Sequence, residues 1–462
     1  MARILSKSSR LFCLTVLIAL ACGTASGAQT PDTARMEQVV RADAGENRFT
    51  GAVLVAKGDR VLLDRAYGAA NLGWAIPNTP DTRFPINSLA KQFTAAAVLL
   101  LEECGKLHLT DTVKTYWPDA PPAWEKITLF NLLTQTSGIP DYADAPDFGD
   151  TMKLRKTPEE RIATIRDKPL EGVPGEKFAY SNSNYLLLGA IVERASGQPY
   201  AAFLQDNIFT PLGMKDSGAE SNAPVPRLAS GYVHRNGAIV NATCIDPSAQ
   251  HVALFSTTHD LLIWERSLLD GRLLSPASLK KMFTPLREAS GPGAPFKAGY
   301  GMGIYVGTTE DGRREISHTG SGPGFVSMIA AYPDDRLIVI LLSNIDSPTY
   351  ADIVSKLANV ALGKAVILPD ERKQVAVDQD VLARYAGRYQ LRPGLVVEIV
   401  QNGGTLEAHP GNNPVIAIYP QSPTSFFGRT VDVQVDFQVT GRTASSLTWR
   451  VNGDVLKAPR LQ

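Results

Sequence analysis

Apolar positions change their period along the chain, and the changes predict where helices and strands lie. Two strand-like runs at 49–56 and 60–68 flank a Lys-Gly-Asp turn, which predicts a β-hairpin. The stretch 88–104 is helix-compatible and apolar on more than one face, which is typical of a buried helix, and Gly105 is placed to end it. Most segments between about 150 and 290 have a helical pattern.

Strand-like runs return late in the chain. They cover 300–306, 314–318, 325–332 and 337–343, and a helix-like segment follows at 348–362. Sequential strands tend to pair, so the early hairpin and the late strands predict one antiparallel sheet. The predicted fold class is therefore α+β, an antiparallel sheet flanked by helices with a helical subdomain.

The last part of the chain has a different pattern. Residues 364–380 contain Pro369 and mixed charges, and they predict a linker between a first domain at 29–363 and a second at 381–462. Short strand-like runs follow at regular spacing, separated by Gly, Asn and Pro. That pattern favours a small all-β barrel or sandwich.

The N-terminus has the pattern of a secretory signal peptide over residues 1–28. Basic residues precede a short apolar core at 11–21, and small residues follow it. We therefore expect an exported protein, periplasmic or secreted, with a lipoprotein anchored at Cys22 as the minor alternative. No later stretch is long and apolar enough to predict a transmembrane segment.

Composition narrows the classes of function. The chain has 462 residues, 44% hydrophobic and 20% charged, with a formal net charge of zero and no basic block. That balance is typical of a globular protein and argues against nucleic acid as a partner. Outside the signal peptide only Cys104 and Cys244 occur, so one disulfide is conceivable, but the helical position of Cys104 favours a buried, inert thiol.

The candidate chemistry starts where the buried helix begins. Pro85 and Asn87 predict a loop that ends in a helix N-cap. Ser88 and Lys91 then share one side of the first turn, and a hydroxyl beside a desolvated amine is a nucleophile beside a base. The spacing alone is weak, because Ser88 could be only a cap and a second Ser-x-x-Lys at 278–281 is expected to be exposed helical surface.

A Tyr-x-Asn motif, Tyr180-Ser181-Asn182, lies just before a predicted helix. A phenol shuttles protons best when a nearby cation lowers its pKa, and Lys91 is a candidate for that cation. The amide of Asn182 has both a donor and an acceptor for a substrate amide. Taken alone, Tyr180 is more often a core aromatic residue.

The segment His318-Thr319-Gly320-Ser321 lies at the end of a predicted strand. A glycine there lets a substrate backbone lie close to the strand. The backbone N–H groups of Ser321 and Ser88 are candidates for an oxyanion hole. Taken alone, His318 is more often a packed or surface histidine.

The Ser-x-x-Lys, Tyr-x-Asn and His-Thr-Gly motifs, in this order, resemble those of the penicillin-recognising serine hydrolases. The subset includes class C β-lactamases, D-alanyl-D-alanine carboxypeptidases, D-aminopeptidases and related esterases. The resemblance covers about residues 35–362 and includes the stretches 132–138 and 211–214. Residues 380–460 are similar to the small lipocalin-like barrel often appended to such hydrolases. The resemblance implies a β-lactamase/transpeptidase-like fold.

The resemblance also implies roles for single residues. Ser88 would be the acylated nucleophile, Lys91 and Tyr180 would share general base and acid work, and Asn182 and residues 318–321 would hold the substrate. Two departures concern the binding site. His318 stands where many members have lysine, and it is mostly neutral at pH 7, so recognition of a free substrate carboxylate is in doubt. Gln135 replaces a histidine common in related sequences.

The leading hypothesis is an exported serine hydrolase that forms an acyl-enzyme on Ser88. Its substrate would be a small molecule or peptide with an amide or ester bond, which leaves β-lactams, D-amino-acid peptides, other peptides and carboxylic esters open. No cofactor or metal is expected, because His251 and His259 have no ligand-like spacing. The alternative is a non-catalytic penicillin-binding or peptidoglycan-sensing module. An α/β-hydrolase is excluded, because no Gly-x-Ser-x-Gly occurs.

Overall fold

The computed structural model describes residues 31–45, 47–246, 252–291, 293–411, 415–429, 431–451 and 454–461. The predicted signal peptide, with Cys22, lies outside the described residues. Across these ranges, no helix combines the length and the apolar character that a membrane crossing needs.

The helices are concentrated between the early hairpin and the late strands. They are α1 (Pro31–Ala44), α2 (Ala90–Glu103), α3 (Val113–Tyr116), α4 (Leu129–Leu133), α5 (Phe148–Thr151), α6 (Pro158–Ala163), α7 (Asn182–Ser196), α8 (Tyr200–Leu204), α9 (Thr210–Leu212), α10 (Thr258–Leu269), α11 (Pro276–Met282), α12 (Tyr350–Ala361) and α13 (Gln379–Leu382).

The strands of the first domain belong to one large sheet and several small ones. They are β1 (Gly51–Lys57), β2 (Arg60–Tyr67), β3 (Ala69–Asn71), β4 (Ile76–Pro77), β5 (Phe84–Pro85), β6 (Gly218–Ala219), β7 (Tyr232–Arg235), β8 (Ala238–Asn241), β9 (Leu254–Ser256), β10 (Arg287–Glu288), β11 (Lys297–Tyr300), β12 (Tyr305–Thr308), β13 (Arg314–Gly322), β14 (Phe325–Tyr332) and β15 (Leu337–Ser343).

The large sheet has eight antiparallel strands in the order β10-β11-β12-β13-β14-β15-β1-β2. The N-terminal hairpin therefore pairs with the last strand of the domain, with Gly51 opposite Ser343. This arrangement confirms the predicted α+β class and the pairing of early with late strands. The run 300–306, predicted as one strand, is instead the end of β11 and the start of β12, because a turn with Gly303 at φ 75° separates them.

The sheet is covered on both faces. The central strand β15 is buried along its whole length, and its alternate residues point into different cores. Leu341 belongs to the core beneath α1 and α12, whereas Ile340 belongs to the larger core that includes α2, α7 and α10. In that larger core the ring of Phe93 in α2 stacks on Trp264 of α10, with ring centroids 4.1 Å apart. The predicted burial of α2 is thus correct.

The prediction of a buried Cys104 is wrong. Helix α2 ends at Glu103, and Cys104 follows as an exposed residue before Gly105, whose φ of 65° terminates the helix. The C-terminal end of α2 emerges from the core, so its last residues face solvent. Cys104 and Cys244 are both exposed free thiols.

The C-terminal part is an eight-stranded antiparallel barrel. Its strands are β16 (Gly387–Arg392), β17 (Leu395–Asn402), β18 (Thr405–Pro410), β19 (Ile416–Pro420), β20 (Ser425–Gly428), β21 (Val433–Thr440), β22 (Thr443–Val451) and β23 (Asp454–Pro459). A bridge between Tyr389 and Arg460 brings the first and last strands together, so the predicted all-β barrel is nearly closed.

A buried ion-pair cluster joins the barrel to the first domain. Asp432, beside β21, accepts hydrogen bonds from Lys356 of α12 and from Arg372 of the preceding segment. Their side chains are only 12%, 13% and 9% exposed, respectively. Lys356 also pairs with Asp352 at 2.5 Å. Removing one member of such a buried cluster leaves a charge without compensation.

We therefore expect Asp432→Ala to lower the free energy of unfolding by about 3 kcal/mol. Asp436→Ala is the matched control on the same barrel, because Asp436 pairs with Arg450 at a site where both side chains are 40% or more exposed. That exposed pair should contribute less than about 1 kcal/mol. Urea denaturation of the two variants measures both values, and equal losses would contradict the assigned role of Asp432.

Candidate active site

Ser88 lies in a 3-10 helix, Asn87–Leu89, directly before α2. Its neighbours Asn87 and Leu89 are buried, whereas Ser88 is partly exposed. Asn87 has a left-handed backbone with φ 50° and does not cap the helix, so the predicted Asn87 N-cap is wrong. A non-glycine residue in this strained region is often found beside a functional group. The strained turn here places the Ser88 hydroxyl at the surface of the core.

Lys91 lies one turn further, with its side chain buried. Its Nζ donates hydrogen bonds of 2.9 Å to Ser88 Oγ and of 2.9 Å to Asn182 Oδ1. Burial lowers the pKa of Lys91 to about 7, although the charge of Asp141 acts in the opposite direction. Near neutral pH much of Lys91 is thus an uncharged amine, and through the same contact that amine can accept the Ser88 proton.

The Asn182 side chain is oriented by Asp141, a residue that the sequence analysis missed. Asp141 Oδ2 accepts hydrogen bonds from the backbone N of Asn182 at 3.1 Å and from Asn182 Nδ2 at 2.8 Å. These bonds turn Asn182 Oδ1 toward Lys91. The only signal for Asp141 in the sequence is its place in the turn after Gly138 and Pro140. Nothing in that local pattern shows a contact with residue 182.

Gln135 supports the same helix end from the other side. Its side-chain Oε1 accepts a hydrogen bond of 3.1 Å from the backbone N of Ser181. Gln135 is fully buried and has a left-handed φ of 57°. The first N–H groups of α7 are thus bonded by side chains from the 135–141 segment rather than by a cap within the helix. Gln135 therefore supports Asn182 instead of facing the nucleophile.

Tyr180 contacts both Ser88 and Lys91. The Ser88 side chain lies close enough to its hydroxyl to act on its pKa, and Lys91 Nζ lies 4.9 Å from the centre of its ring. Burial raises the pKa of Tyr180 well above its usual value, and the neighbouring Ser88 hydroxyl offsets only part of this. The prediction that Lys91 lowers this pKa is therefore wrong, because desolvation dominates. Tyr180 is a neutral phenol that can donate a proton.

His318 of β13 lies in a cage of aromatic rings and is buried. Its Nδ1 lies 2.6 Å from the carbonyl oxygen of Thr319, and its Nε2 lies 3.1 Å from the hydroxyl of Tyr300. This arrangement assigns the proton to Nδ1, with Nε2 accepting from Tyr300. Burial, followed by the charge of Lys91, lowers the pKa of His318 to about 3. His318 is therefore neutral at physiological pH.

Gly320 brings β13 against the turn that carries Ser88. A Cβ atom on Gly320 would lie 2.1 Å from the carbonyl oxygen of Ile86 and 3.0 Å from the backbone N of Ser88. Only glycine permits this approach. Thr319 is buried beside Gly320, and Ser321 is exposed next to it, opposite Val326 of β14. That the backbone N–H groups of Ser88 and Ser321 together form an oxyanion hole stays a prediction.

The second Ser-x-x-Lys differs from the first. Ser278 lies in α11 but is buried, so the expectation of an exposed pattern is wrong for this residue. Its hydroxyl lies 3.3 Å from that of Ser275, and Lys281 pairs with Glu102 at 2.8 Å. No hydrogen bond joins Ser278 to Lys281 in the described part of the chain. The spacing alone therefore does not make a nucleophile.

Of the two histidines whose spacing is unlike that of metal ligands, His251 lies outside the described residues. His259 is bonded to Asp64 at 2.7 Å. Within the residues that the structure describes, no group of three or more His, Cys, Asp or Glu side chains is arranged to hold a metal ion.

Comparisons with known proteins agree on one family. A family model described as Beta-lactamase matches residues 36–362. A penicillin-binding protein of Bacillus subtilis is 29% identical over 441 residues, which cover 90% of this chain and 96% of that protein.

Two solved structures extend the comparison to the fold. The octameric penicillin-binding protein homologue from Pyrococcus abyssi is 25% identical with a TM-score of 0.68, and the match covers 92% of this chain and 99% of that one. The D-stereospecific amidohydrolase from Streptomyces sp. is 27% identical with a TM-score of 0.62, and the match covers 72% of this chain and 100% of that one. The fold is therefore the β-lactamase/transpeptidase-like fold.

The lowered pKa of Lys91 predicts how Ser88 reactivity depends on pH. The rate of covalent modification of Ser88 by a serine-directed phosphonate should rise as Lys91 loses its proton, with a midpoint near pH 7. Asp141→Asn should move the midpoint to lower pH, because the Asp141 carboxylate raises the pKa of Lys91. Asp144→Asn, an exposed acid on the same turn, should leave it unchanged. A flat profile between about pH 5 and 9 would contradict the assignment of Lys91 as the base.

Proposed function

This chain belongs to the Beta-lactamase family, whose relatives are serine hydrolases, and from that premise we propose that it cleaves an amide or ester bond through an acyl-enzyme on Ser88. The observation that supports this most strongly is the 2.9 Å contact between Lys91 Nζ and Ser88 Oγ. Burial gives that amine a pKa of about 7, so it can accept the serine proton at neutral pH.

In the proposed acylation step, uncharged Lys91 removes the Ser88 proton as Oγ bonds to the substrate carbonyl carbon. The bond to the leaving group breaks as Tyr180 gives its phenolic proton to the leaving nitrogen or oxygen. Lys91 then returns its proton to Tyr180. Lys91 and Tyr180 therefore end the step in their starting protonation states. The acyl group has exchanged its bond to the leaving group for an ester bond to Ser88.

In the proposed deacylation step, water attacks the acyl-enzyme and gives its proton to the Lys91–Tyr180 pair. The ester bond to Ser88 breaks, Oγ takes that proton back, and the carboxylic acid product leaves. The raised pKa of Tyr180 suits this role, because a neutral phenol between Ser88 and Lys91 can pass a proton in either direction. No cofactor or metal enters either step.

The substrate backbone is proposed to lie along β13. Strand β12 begins at Tyr305 opposite Ser317, so β13 has no partner on this side beyond Ser317, although it continues to Gly322 beside the turn that carries Ser88. An extended peptide can add to such a strand through its main chain. Asn182 donates one amide hydrogen to Asp141, which leaves its second for a substrate carbonyl.

Export is proposed from the sequence of residues 1–28, which lie outside the described residues. We propose a periplasmic or extracellular location. A small-molecule or peptide substrate is consistent with that location. The non-catalytic alternative, a penicillin-binding or peptidoglycan-sensing module, would use the same Ser88 but stop at a stable acyl-enzyme.

Ser88→Ala should abolish turnover of a p-nitrophenyl ester panel, a loss of at least about 1,000-fold in kcat/KM. Ser278→Ala is the matched control, since it removes the serine of the other Ser-x-x-Lys and should leave turnover intact. Intact-mass analysis after incubation with penicillin tests the alternative. A permanent adduct on Ser88, together with no turnover of any ester or amide, would favour the sensing module and contradict the hydrolase.

The neutral state of His318 predicts weak selection for a substrate carboxylate. A peptide ending in a free carboxylate and the same peptide ending in an amide should have kcat/KM values within about threefold of each other, because no cation at position 318 pairs with the carboxylate. Parallel rate measurements on such a pair give the ratio directly. A preference of tenfold or more for the free acid would show that another cation binds it.

A further inference from the structure

A cavity of about 730 Å³ opens beside the turn that carries Ser88, and Asn87 lines it. The loop before β4, the segments before β7 and after β8, and the turn between β13 and β14 all contribute to its walls. This volume is within the range of small-molecule sites. No role described above uses this cavity.

The cavity is continuous with the catalytic turn. Asn87, which lines it, directly precedes Ser88. Phe325, which also lines the cavity, begins the strand that pairs with β13. Gly322 at the end of β13 lies against Asn87, since a Cβ atom there would come within 2.5 Å of Asn87 Oδ1. A group bound in the cavity therefore lies beside the turn that carries Ser88.

The charged side chains on the described part of the cavity wall are all acidic. Glu220 and Asp246 line it, and no lysine, arginine or histidine does so among the described residues. Asn222 Nδ2 lies 3.5 Å from Asp246 Oδ2. Across the described ranges, no side-chain hydrogen bond or ion pair involves the Glu220 carboxylate, which is partly buried in the wall. A partly desolvated carboxylate that pairs with no basic side chain of the described residues favours a cationic ligand.

Desolvation acts on Glu220 in the expected direction. Burial raises the pKa of Glu220 to about 7. An ammonium ion in the cavity would provide the missing opposite charge.

Aromatic surface faces the same space. Trp74, which is 82% exposed, and the partly buried Phe325 both line the cavity. The face of an indole ring attracts a cation, and attracts it more strongly where water is partly excluded. A carboxylate with no basic partner among the described residues and an exposed indole ring are together the features of a site for an ammonium group that is carried on an apolar side chain.

We propose that this cavity binds a free ammonium group on the acyl part of the substrate, with Glu220 as its counter-ion. The acyl part stays bonded to Ser88 through both half-reactions, so a binding group there assists acylation and deacylation alike. The inference rests on the proposed hydrolase function and adds a substrate class, amides and esters of acyl groups that carry a primary amine.

Matched substrates test the charge. Phenylalanine p-nitroanilide, in its D and L forms, carries the free amine, and the N-acetyl forms lack it. We expect Glu220→Gln to lower the kcat/KM ratio of amine to N-acetyl substrate by at least about tenfold for the preferred enantiomer. Glu315→Gln is the matched control, because Glu315 is a buried carboxylic acid of β13 with a pKa raised to about 7 that does not line the cavity. A ratio that changes less than twofold in Glu220→Gln, or equally in both variants, would overturn the proposal.

A second experiment does not depend on turnover. Cys244 is an exposed free thiol that lines the cavity. In a Ser88→Ala, Cys104→Ala background it should be alkylated by iodoacetamide more slowly when phenylalaninamide is present, and N-acetylphenylalaninamide should protect it at least about fivefold less. Adding Glu220→Gln should remove the difference. Equal protection by both compounds, or none by either, would overturn the ammonium site.

The two experiments separate the two proposals. Charge-selective protection of Cys244, combined with no turnover of any substrate by the protein that retains Ser88, would contradict the hydrolase function alone. Turnover that requires Ser88, without an amine preference that depends on Glu220, would contradict the ammonium site alone.

Discussion

The burial of one amine, Lys91, is the constraint on which the rest of the site depends. An amine in water stays protonated far above neutral pH and cannot act as a base there. Here helix α2 lies inside the larger core, and the rings of Tyr180 and Tyr185 lie 4.9 and 5.6 Å from Lys91 Nζ. Desolvation therefore outweighs the nearby Asp141 charge and brings the pKa to about 7. The same desolvation keeps Tyr180 protonated and His318 neutral, so one physical effect sets all three protonation states.

The catalytic and substrate-binding residues are positioned by close approaches between backbone segments. The sheet carries β13 past the start of α2, and Gly320 lets the strand touch the turn at Ser88. On the other side, Asp141 and Gln135 bond the first N–H groups of α7 and so fix Asn182. Nucleophile, base and substrate-binding amide thus come from separate elements, and each is held by rigid secondary structure rather than by a long loop.

The site divides into a neutral part and an acidic part. His318 and the tyrosine rings that surround it are uncharged at neutral pH, which suits a substrate main chain with no terminal carboxylate. Across the Ser88 turn the cavity wall carries the Glu220 carboxylate and the exposed Trp74 ring. A substrate that bridges the two parts presents an amide or ester to Ser88 and a cation to the cavity. Selectivity among substrates would then come from residues of the cavity wall, which lie outside the motifs that carry out the chemistry.

The sequence determined the elements and the order of the motifs, because period and spacing are local properties. The β1–β2 hairpin, the buried helix α2, the late strands and the C-terminal barrel all follow from such patterns. Tertiary structure alone decided what depends on contacts between distant segments. Asp141 as the support of Asn182, the raised pKa of Tyr180 and the ammonium cavity around Glu220 are examples. Desolvation and charge depend on neighbours that lie tens to hundreds of residues away along the chain, and no local pattern records them.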